Sequence, residues 1–174
     1  MKDFKGLLII MLVIFSGGQM ATAQNLKFGH INSDEIIQAL PDFDTARVKL
    51  DKFRNELISH LELMSKELNS KNDAYQKENK NLSELVRQVK ERELNDMNRR
   101  IQEFQNNAQN QLQEKQAELF QPVYLKVEKA IKDVGKENGF LYVFDTSEGG
   151  SLAYFNEAQS TNVTPLVKAK LKIK

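Results

Sequence analysis

The sequence predicts an α+β protein, a small β-containing head that carries a long antiparallel α-helical coiled-coil hairpin. Glycine is absent from His30 through Val134, and proline is absent between Pro41 and Pro122. Across that stretch apolar residues recur at spacings of three and four for many heptads, the pattern of a coiled-coil seam. The two flanking ends hold short β-prone runs, Leu26–Ile31 and Phe140–Phe144.

Residues 1–23 come first and are read as a leader. Met1-Lys2-Asp3-Phe4-Lys5 is mildly basic, and Leu7–Phe15 is an unbroken run of nine apolar residues. Ala21-Thr22-Ala23 then supplies an A-x-A site, which completes the pattern of a cleaved secretory signal peptide. Nine apolar residues reach ~14 Å as a helix, too short for a ~30 Å hydrocarbon core, which argues against an uncleaved anchor. Cleavage removes Lys2, Lys5 and Asp3, which takes 25 basic residues to 23 and 24 acidic residues to 23. The exported chain from Gln24 is therefore neutral, with no transmembrane segment, and it is unsuited to nucleic acid by bulk charge.

The arm spans residues 43–134. Its first apolar series runs Phe43, Ala46, Leu50, Phe53, Leu57, Leu61, Met64, Leu68 and Tyr75. The second runs Leu82, Val86, Val89, then Leu94, Met97, Ile101, Phe104, Ala108 and Leu112, with a change of phase between Val89 and Leu94. The seam weakens over Asn69–Asn81, near the middle of the glycine-free stretch. Asn81 with Glu84 three residues on resembles a capping box. Two antiparallel helices, roughly 43–78 and 83–134, with a tip near 79–82, follow from this. An extended parallel dimer is the alternative, and it is disfavoured by Asn and Lys at its seam. Gln102–Gln116 offers only Phe104, Ala108 and Leu112 to the seam, so the returning helix packs thinly there.

The head is expected from residues 24–42 and 135–174. Leu26–Ile31 reads as a strand, followed by a short helix, Glu35–Leu40, that Pro41 interrupts. Gly139 reads as a helix stop. Phe140–Phe144 and Leu152–Phe155 read as a β-hairpin turning at Glu148-Gly149-Gly150. Thr164-Pro165 opens a last helix, Leu166–Leu171. Phe140, Tyr142 and Phe144 alternate with Leu141 and Val143, so both faces of the sheet are apolar. Terminal helices can cover one face, and further copies of the chain are the simplest cover for the other. Phe28, Ile31, Leu141, Val143, Leu152 and Tyr154 are the candidate residues for that contact.

Composition excludes most chemistry. Cysteine is absent, which removes disulfides, thiol nucleophiles and Cys-ligated metal. The two histidines, His30 and His60, lack the spacing of a metal site. Ser147-Glu148-Gly149-Gly150 lacks the Gly-Lys-Ser/Thr of a phosphate loop. No enzyme and no cofactor are expected. Arg87, Lys90, Arg92, Arg99 and Arg100 near the tip are interleaved with Glu91, Glu93 and Asp96, as in a solvated helix face.

Several segments resemble the Skp/OmpH family of periplasmic chaperones. They are Phe28–Ile37 with Leu40-Pro41-Asp42, Pro122–Val127, Ala130-Ile131, Glu137–Phe140, Tyr142–Asp145 and Asn162–Val167. The C-terminal segments are the more specific. The resemblance implies a jellyfish-shaped homotrimer, in which three heads share a β-barrel and three hairpins hang around a cavity that holds unfolded outer-membrane proteins without ATP. It also implies a periplasmic location. Family members are often strongly basic, whereas Asp51–Glu118 here holds 12 Lys/Arg against 13 Asp/Glu. A peripheral membrane contact is therefore left open, and no lipopolysaccharide site is assigned. On this reading the apolar residues off the seam, Ile58, Leu63, Leu85 and Met97 at its edge, are the candidates for client contact. The competing reading is a structural coiled-coil adaptor of the cell envelope that docks one partner through the hairpin tip.

Overall fold

The fold is given by a computed structural model that describes residues 26–148 and 152–173. The leader expected over residues 1–23 lies outside the described residues, as do Gly149 and Gly150 of the expected turn. Strand β1 (Phe28–Ile31) leads into helix α1 (Ser33–Gln38). Two long helices follow, α2 (Pro41–Glu78) and α3 (Glu84–Glu137), then β2 (Tyr142–Asp145), β3 (Thr161–Asn162) and α4 (Thr164–Leu171).

Local chemistry sets the element ends. The Asn32 side chain caps α1 by accepting from the Glu35 amide at 3.2 Å. Pro41 sits in the first turn of α2, where its missing N–H costs nothing. The α2 chain tightens into a single 3₁₀ turn at Asn79–Asn81 and reverses through extended Leu82. The cap of α3 is Ser83, whose Oγ accepts from the Val86 amide, and not Asn81. Asn81 is consumed by the 3₁₀ turn, which moves Glu84 to the first helical position, where it pairs with Arg87. Helix α3 ends in a Schellman motif: Phe140 N–H donates to Gly135 O at 3.0 Å and Gly139 N–H to Lys136 O at 3.3 Å. This requires Gly139 at φ +68°. Helix α4 begins at Thr164 with its amide held by Asn162 Oδ1 at 2.9 Å, so Asn162 does the capping expected of Thr164.

The sheet differs from the expected one. It is three-stranded and wholly parallel, in the order β2-β1-β3, and it is not a closed barrel. Leu152–Phe155 forms no strand, so no hairpin pairs with β2. The flank of β1 opposite β2 is taken by Thr161–Asn162, and Val163 N–H donates to His30 O at 2.9 Å. Segment 152–155 is thereby left to lie beside the sheet, with Phe155 against the His30 ring at a centroid distance of 4.8 Å.

The head core collects both ends of the chain on the last third of α3. Ile31, Ile36, Leu40, Val163 and Val167 close on Val123, Val127, Ala130 and Val134. Ile31 is 1 % exposed, so it belongs to the core of the single chain and is removed from the oligomer-contact candidates. Val143 and Phe140 also pack on this core. Phe140 lies before the strand and turns inward, unlike Tyr142 and Phe144 with which it was grouped. Gly29 is needed here because an added Cβ would meet Val163 Cγ1 at 3.0 Å and the Phe140 ring at 3.2 Å. A second cluster, Ala46, Leu50 and Phe120, extends the core into the neck, where Phe43 and Phe120 meet edge to face at 5.3 Å. Pro122 lies inside α3 at this level. The missing hydrogen bond costs roughly 3 kcal/mol in a helix interior, and the buried neighbours Phe120, Val123 and Val127 offset it.

Ile36→Ala should destabilise the chain by about 2–5 kcal/mol, because it empties part of a fully buried site. Leu63→Ala, at an exposed arm position, should stay within about 0.5 kcal/mol. Urea unfolding of the two variants measures both.

Candidate functional site

The chain presents two kinds of unpartnered surface, one on the sheet and one on the arm. Strand alternation places Gly29, Ile31 and Val143 toward the core, which leaves Phe28, Tyr142 and Phe144 on the opposite face. These three rings form a triangular cluster, with Phe28 at 6.3 Å from Tyr142 and 6.5 Å from Phe144, and Tyr142 at 5.9 Å from Phe144. Tyr142 is 57 % exposed and Phe144 37 %. Leu141 and Tyr154 are exposed, and Tyr154 lines a small hollow with half-buried Leu152, Asp145, Ser147 and Phe155. His30 shares this face, with Nδ1 2.9 Å from Ser160 Oγ.

Asp145 locks the edge of this surface to α1. Its carboxylate accepts from the Ser33 hydroxyl, from the Ser33 amide at 3.2 Å and from the Ser147 amide at 3.0 Å. Partial burial pushes its carboxyl up, but the bonds from Ser33 and Ser147 outweigh this and hold it below the ordinary range.

On the arm, the seam of α3 does not follow the apolar series at its start. Val86 and Val89 are 41 % and 58 % exposed, while Arg87 and Lys90 turn partly inward ahead of Leu94 and buried Met97. The tip is closed by polar contacts in place of apolar ones. Tyr75 Oη donates to Glu91 at 2.6 Å, Lys90 reaches Glu78 at 2.9 Å, and Lys71 pairs with Glu93. The bond with Glu93 raises the Lys71 ammonium and lowers the Glu93 carboxyl, and the bond with Glu91 raises the Tyr75 hydroxyl. Leu85, Val86 and Val89 are thereby turned out as an exposed apolar stripe.

Of the sequence candidates on the arm, Ile58, Leu63 and Leu85 are exposed, at 46 %, 65 % and 72 %. Met97 is 7 % exposed and meets Met64 across the seam beside Ile101 of its own helix, so it is not a surface residue and leaves the contact set. Its spacing of three from Leu94 and four from Ile101 is ordinary seam spacing. Val48, Val86 and Val89 were missed as exposed positions. The change of phase between Val89 and Leu94 was the signal for the last two. On the outward face of α2, Asp51, Lys52, Asn55, Glu56, Ser59 and His60 lie between exposed Val48 and Leu63. The His60 ring lies 6.1 Å from the Phe104 ring. Among the described residues no three His, Asp or Glu side chains gather to hold a metal ion, and no helix is long and apolar enough to cross a membrane.

A small open parallel sheet with a long antiparallel helical hairpin defines the class. The chain matches the family described as Outer membrane protein (OmpH-like) over residues 27–171, and it belongs to that family. No curated protein matches it.

The Asp145 contacts predict a pH dependence. Its folded carboxyl lies below its unfolded one, so its contribution is complete above the unfolded value of ~3.9 and is lost as pH falls through the folded value. The urea midpoint of Asp145→Asn should lie below that of the unaltered chain at pH 7, and the gap should close below about pH 4. A gap unchanged at pH 2 would contradict the assignment.

Proposed function

We propose that the chain is an ATP-independent holdase chaperone of the periplasm, which binds unfolded outer-membrane proteins between its helical arms and prevents their aggregation. Membership of the OmpH-like family over residues 27–171 is the observation that carries this reading. The surfaces agree with it. The aromatic cluster of Phe28, Tyr142 and Phe144 gives the head an apolar face to share with other copies. Burying such a ring fully contributes about 1.5–3 kcal/mol, so three copies have ample reason to associate. The β2 strand has β1 on one flank, and its other flank gives a neighbouring copy an edge to extend toward a shared barrel. Exposed Leu141 and Tyr154 are further candidates for that contact. A homotrimer of this kind encloses a cavity between its arms, with Ile58, Leu63 and Leu85 as client contacts.

An envelope adaptor that docks one partner through its tip is the second reading. It is favoured by the ordered tip, where Tyr75–Glu91, Lys90–Glu78 and Lys71–Glu93 hold Leu85, Val86 and Val89 outward. The two readings diverge on client breadth.

Light scattering on residues 24–174 should give three times the monomer mass, and a monomer or dimer would sink the shared-barrel head. A urea-unfolded outer-membrane β-barrel protein diluted without ATP should stay soluble at near-stoichiometric trimer. If the folded chain suppresses no aggregation, the adaptor reading takes precedence.

A further inference from the structure

We infer that the hairpin tip is a docking surface for an acidic amphipathic helix of another protein, which lies on Val86 and Val89 of α3 and is held by the cations around them. This rests on the tip-docking reading and names its partner's chemistry. The client contacts at Ile58 and Leu63 are unaffected by it.

The tip carries an apolar stripe that its own hairpin does not use. The seam to α2 runs along Leu94 and buried Met97 and, toward the tip, along half-buried Lys90 and Arg87. Leu85 and Val86 stand four and three residues before Val89 and share its flank of the helix. All three are exposed, Val86 at 41 % and Val89 at 58 %. Beside them, between the two helices, is a small hollow lined by Lys71, Ala74 and Tyr75 of α2 and by Lys90, Glu93 and Leu94 of α3. Val86 lies four residues before Lys90 and seven before Glu93, so stripe and hollow adjoin on one side of the hairpin. A helix laid there sets one apolar side chain over Ala74 and Leu94 and others on Val86 and Val89, as knobs enter holes. A helix also arrives with its main-chain bonds made, whereas an extended segment finds no main-chain edge here.

Charge selects the partner's sign. Of the 12 Lys/Arg between Asp51 and Glu118, seven lie in residues 77–100, against five of the 13 acidic residues. All five carboxylates are engaged. Glu78 pairs with Lys90, Glu84 with Arg87, Glu93 with Lys71 and Asp96 with Arg99, while Glu91 accepts from Tyr75. Among the described residues, Lys77, Lys80, Arg92 and Arg100 have no carboxylate within ion-pair distance, and all four are exposed. Arg92 lies three residues beyond Val89, on the line of the stripe. The uncommitted charge of the tip is thus wholly positive, and it fits Glu and Asp at the flanks of a partner's apolar seam.

The other occupants fit less well. A second copy of the tip brings the same four cations and is repelled. A lipid surface holds a helix in proportion to the apolar area it takes up. Three aliphatic side chains on ~6 Å of helix, with no aromatic ring among them, offer little of it.

The test uses residues 24–174 and three labelled peptides of 21 residues. The first repeats a heptad with Leu at a and d and Glu at e and g. The second has Lys in place of Glu, and the third has the first peptide's composition in an order without a heptad. Phosphatidylglycerol vesicles are a further probe. Fluorescence anisotropy reads binding, and circular dichroism reads the helix that the peptide gains. The expected result is saturable binding of the first peptide with a gain of helix, weakened at least threefold between 50 and 300 mM NaCl. Val86→Gln with Val89→Gln, and Arg92→Glu with Arg100→Glu, should each weaken it at least fivefold. All four sites are exposed, and light scattering verifies assembly of the variants. The second and third peptides should bind at least tenfold more weakly than the first. Equal binding of the third peptide would overturn the helical partner, and equal binding of the second would overturn the acidic one. Vesicle binding that the same variants abolish, with no peptide bound, would make the occupant a lipid surface and overturn the proposal. A photo-crosslinker at position 89 in cells separates this from the adaptor reading. Crosslinks to one partner while the first peptide fails to bind sink the proposal and keep the adaptor, and the absence of any crosslink and of any peptide binding sinks both.

Discussion

The structure depends on the burial of both chain ends against the last third of α3. Val123, Val127, Ala130 and Val134 present one apolar stripe. Ile31 from β1, Ile36 from α1, and Val163 and Val167 from α4 all converge on it. A two-helix seam cannot substitute for this. Leu57, Leu61, Met64 and Leu68 on α2 are only half-buried against α3, because a hairpin has no third element to close over them. The arm is thus held in register mainly from its base, where Phe43, Ala46, Leu50 and Phe120 continue the head core into the neck.

The same closure explains why the sheet is small and parallel. The chain leaves β1 through α1, travels the length of the arm twice, and returns at the level of β1 with Gly139 turning it into β2. Parallel pairing needs a long crossover between strands, and this helical excursion supplies it. Lys27 then fixes the junction from two directions, donating to Asn138 O at 3.1 Å and lying 4.2 Å above the Phe140 ring. With Ile31 and Val143 committed inward, the alternation of a strand leaves Phe28, Tyr142 and Phe144 no choice but the other face.

Much of this was legible in the residues. The long glycine-free stretch, the reversal near residue 80 and the Gly139 stop follow from propensity and turn chemistry that act locally. The failures share a cause, which is competition between distant segments. Leu152–Phe155 has strand propensity, but Thr161–Asn162 holds the free flank of β1, a choice decided by where Val163 must sit in the core. Ile31 looked like an interface residue because a three-stranded sheet was expected to lack a core, and α3 supplies one. Met97 stood both in the seam series and among the client contacts at the seam's edge, and its burial leaves it only the first role. Tyr75–Glu91 and Lys90–Glu78 set the seam at the tip, and polar pairs at seam positions leave no mark in an apolar periodicity.

Weak and dispersed contacts suit the role proposed for the arms. A holdase without nucleotide has no external work with which to expel its client, so the grip must be one that a folding client can outcompete. Contacts made by single exposed side chains such as Ile58, Leu63 and Leu85 are individually small and add only while the client stays extended. In the proposed trimer, three linked arms would raise the local concentration of such contacts without strengthening any one of them. A client strand that finds its own β-partner withdraws one contact at a time, and each loss lowers the avidity of those that remain. Compensated arm charges fit this logic, since a strong field would hold a charged client whether or not it had begun to fold.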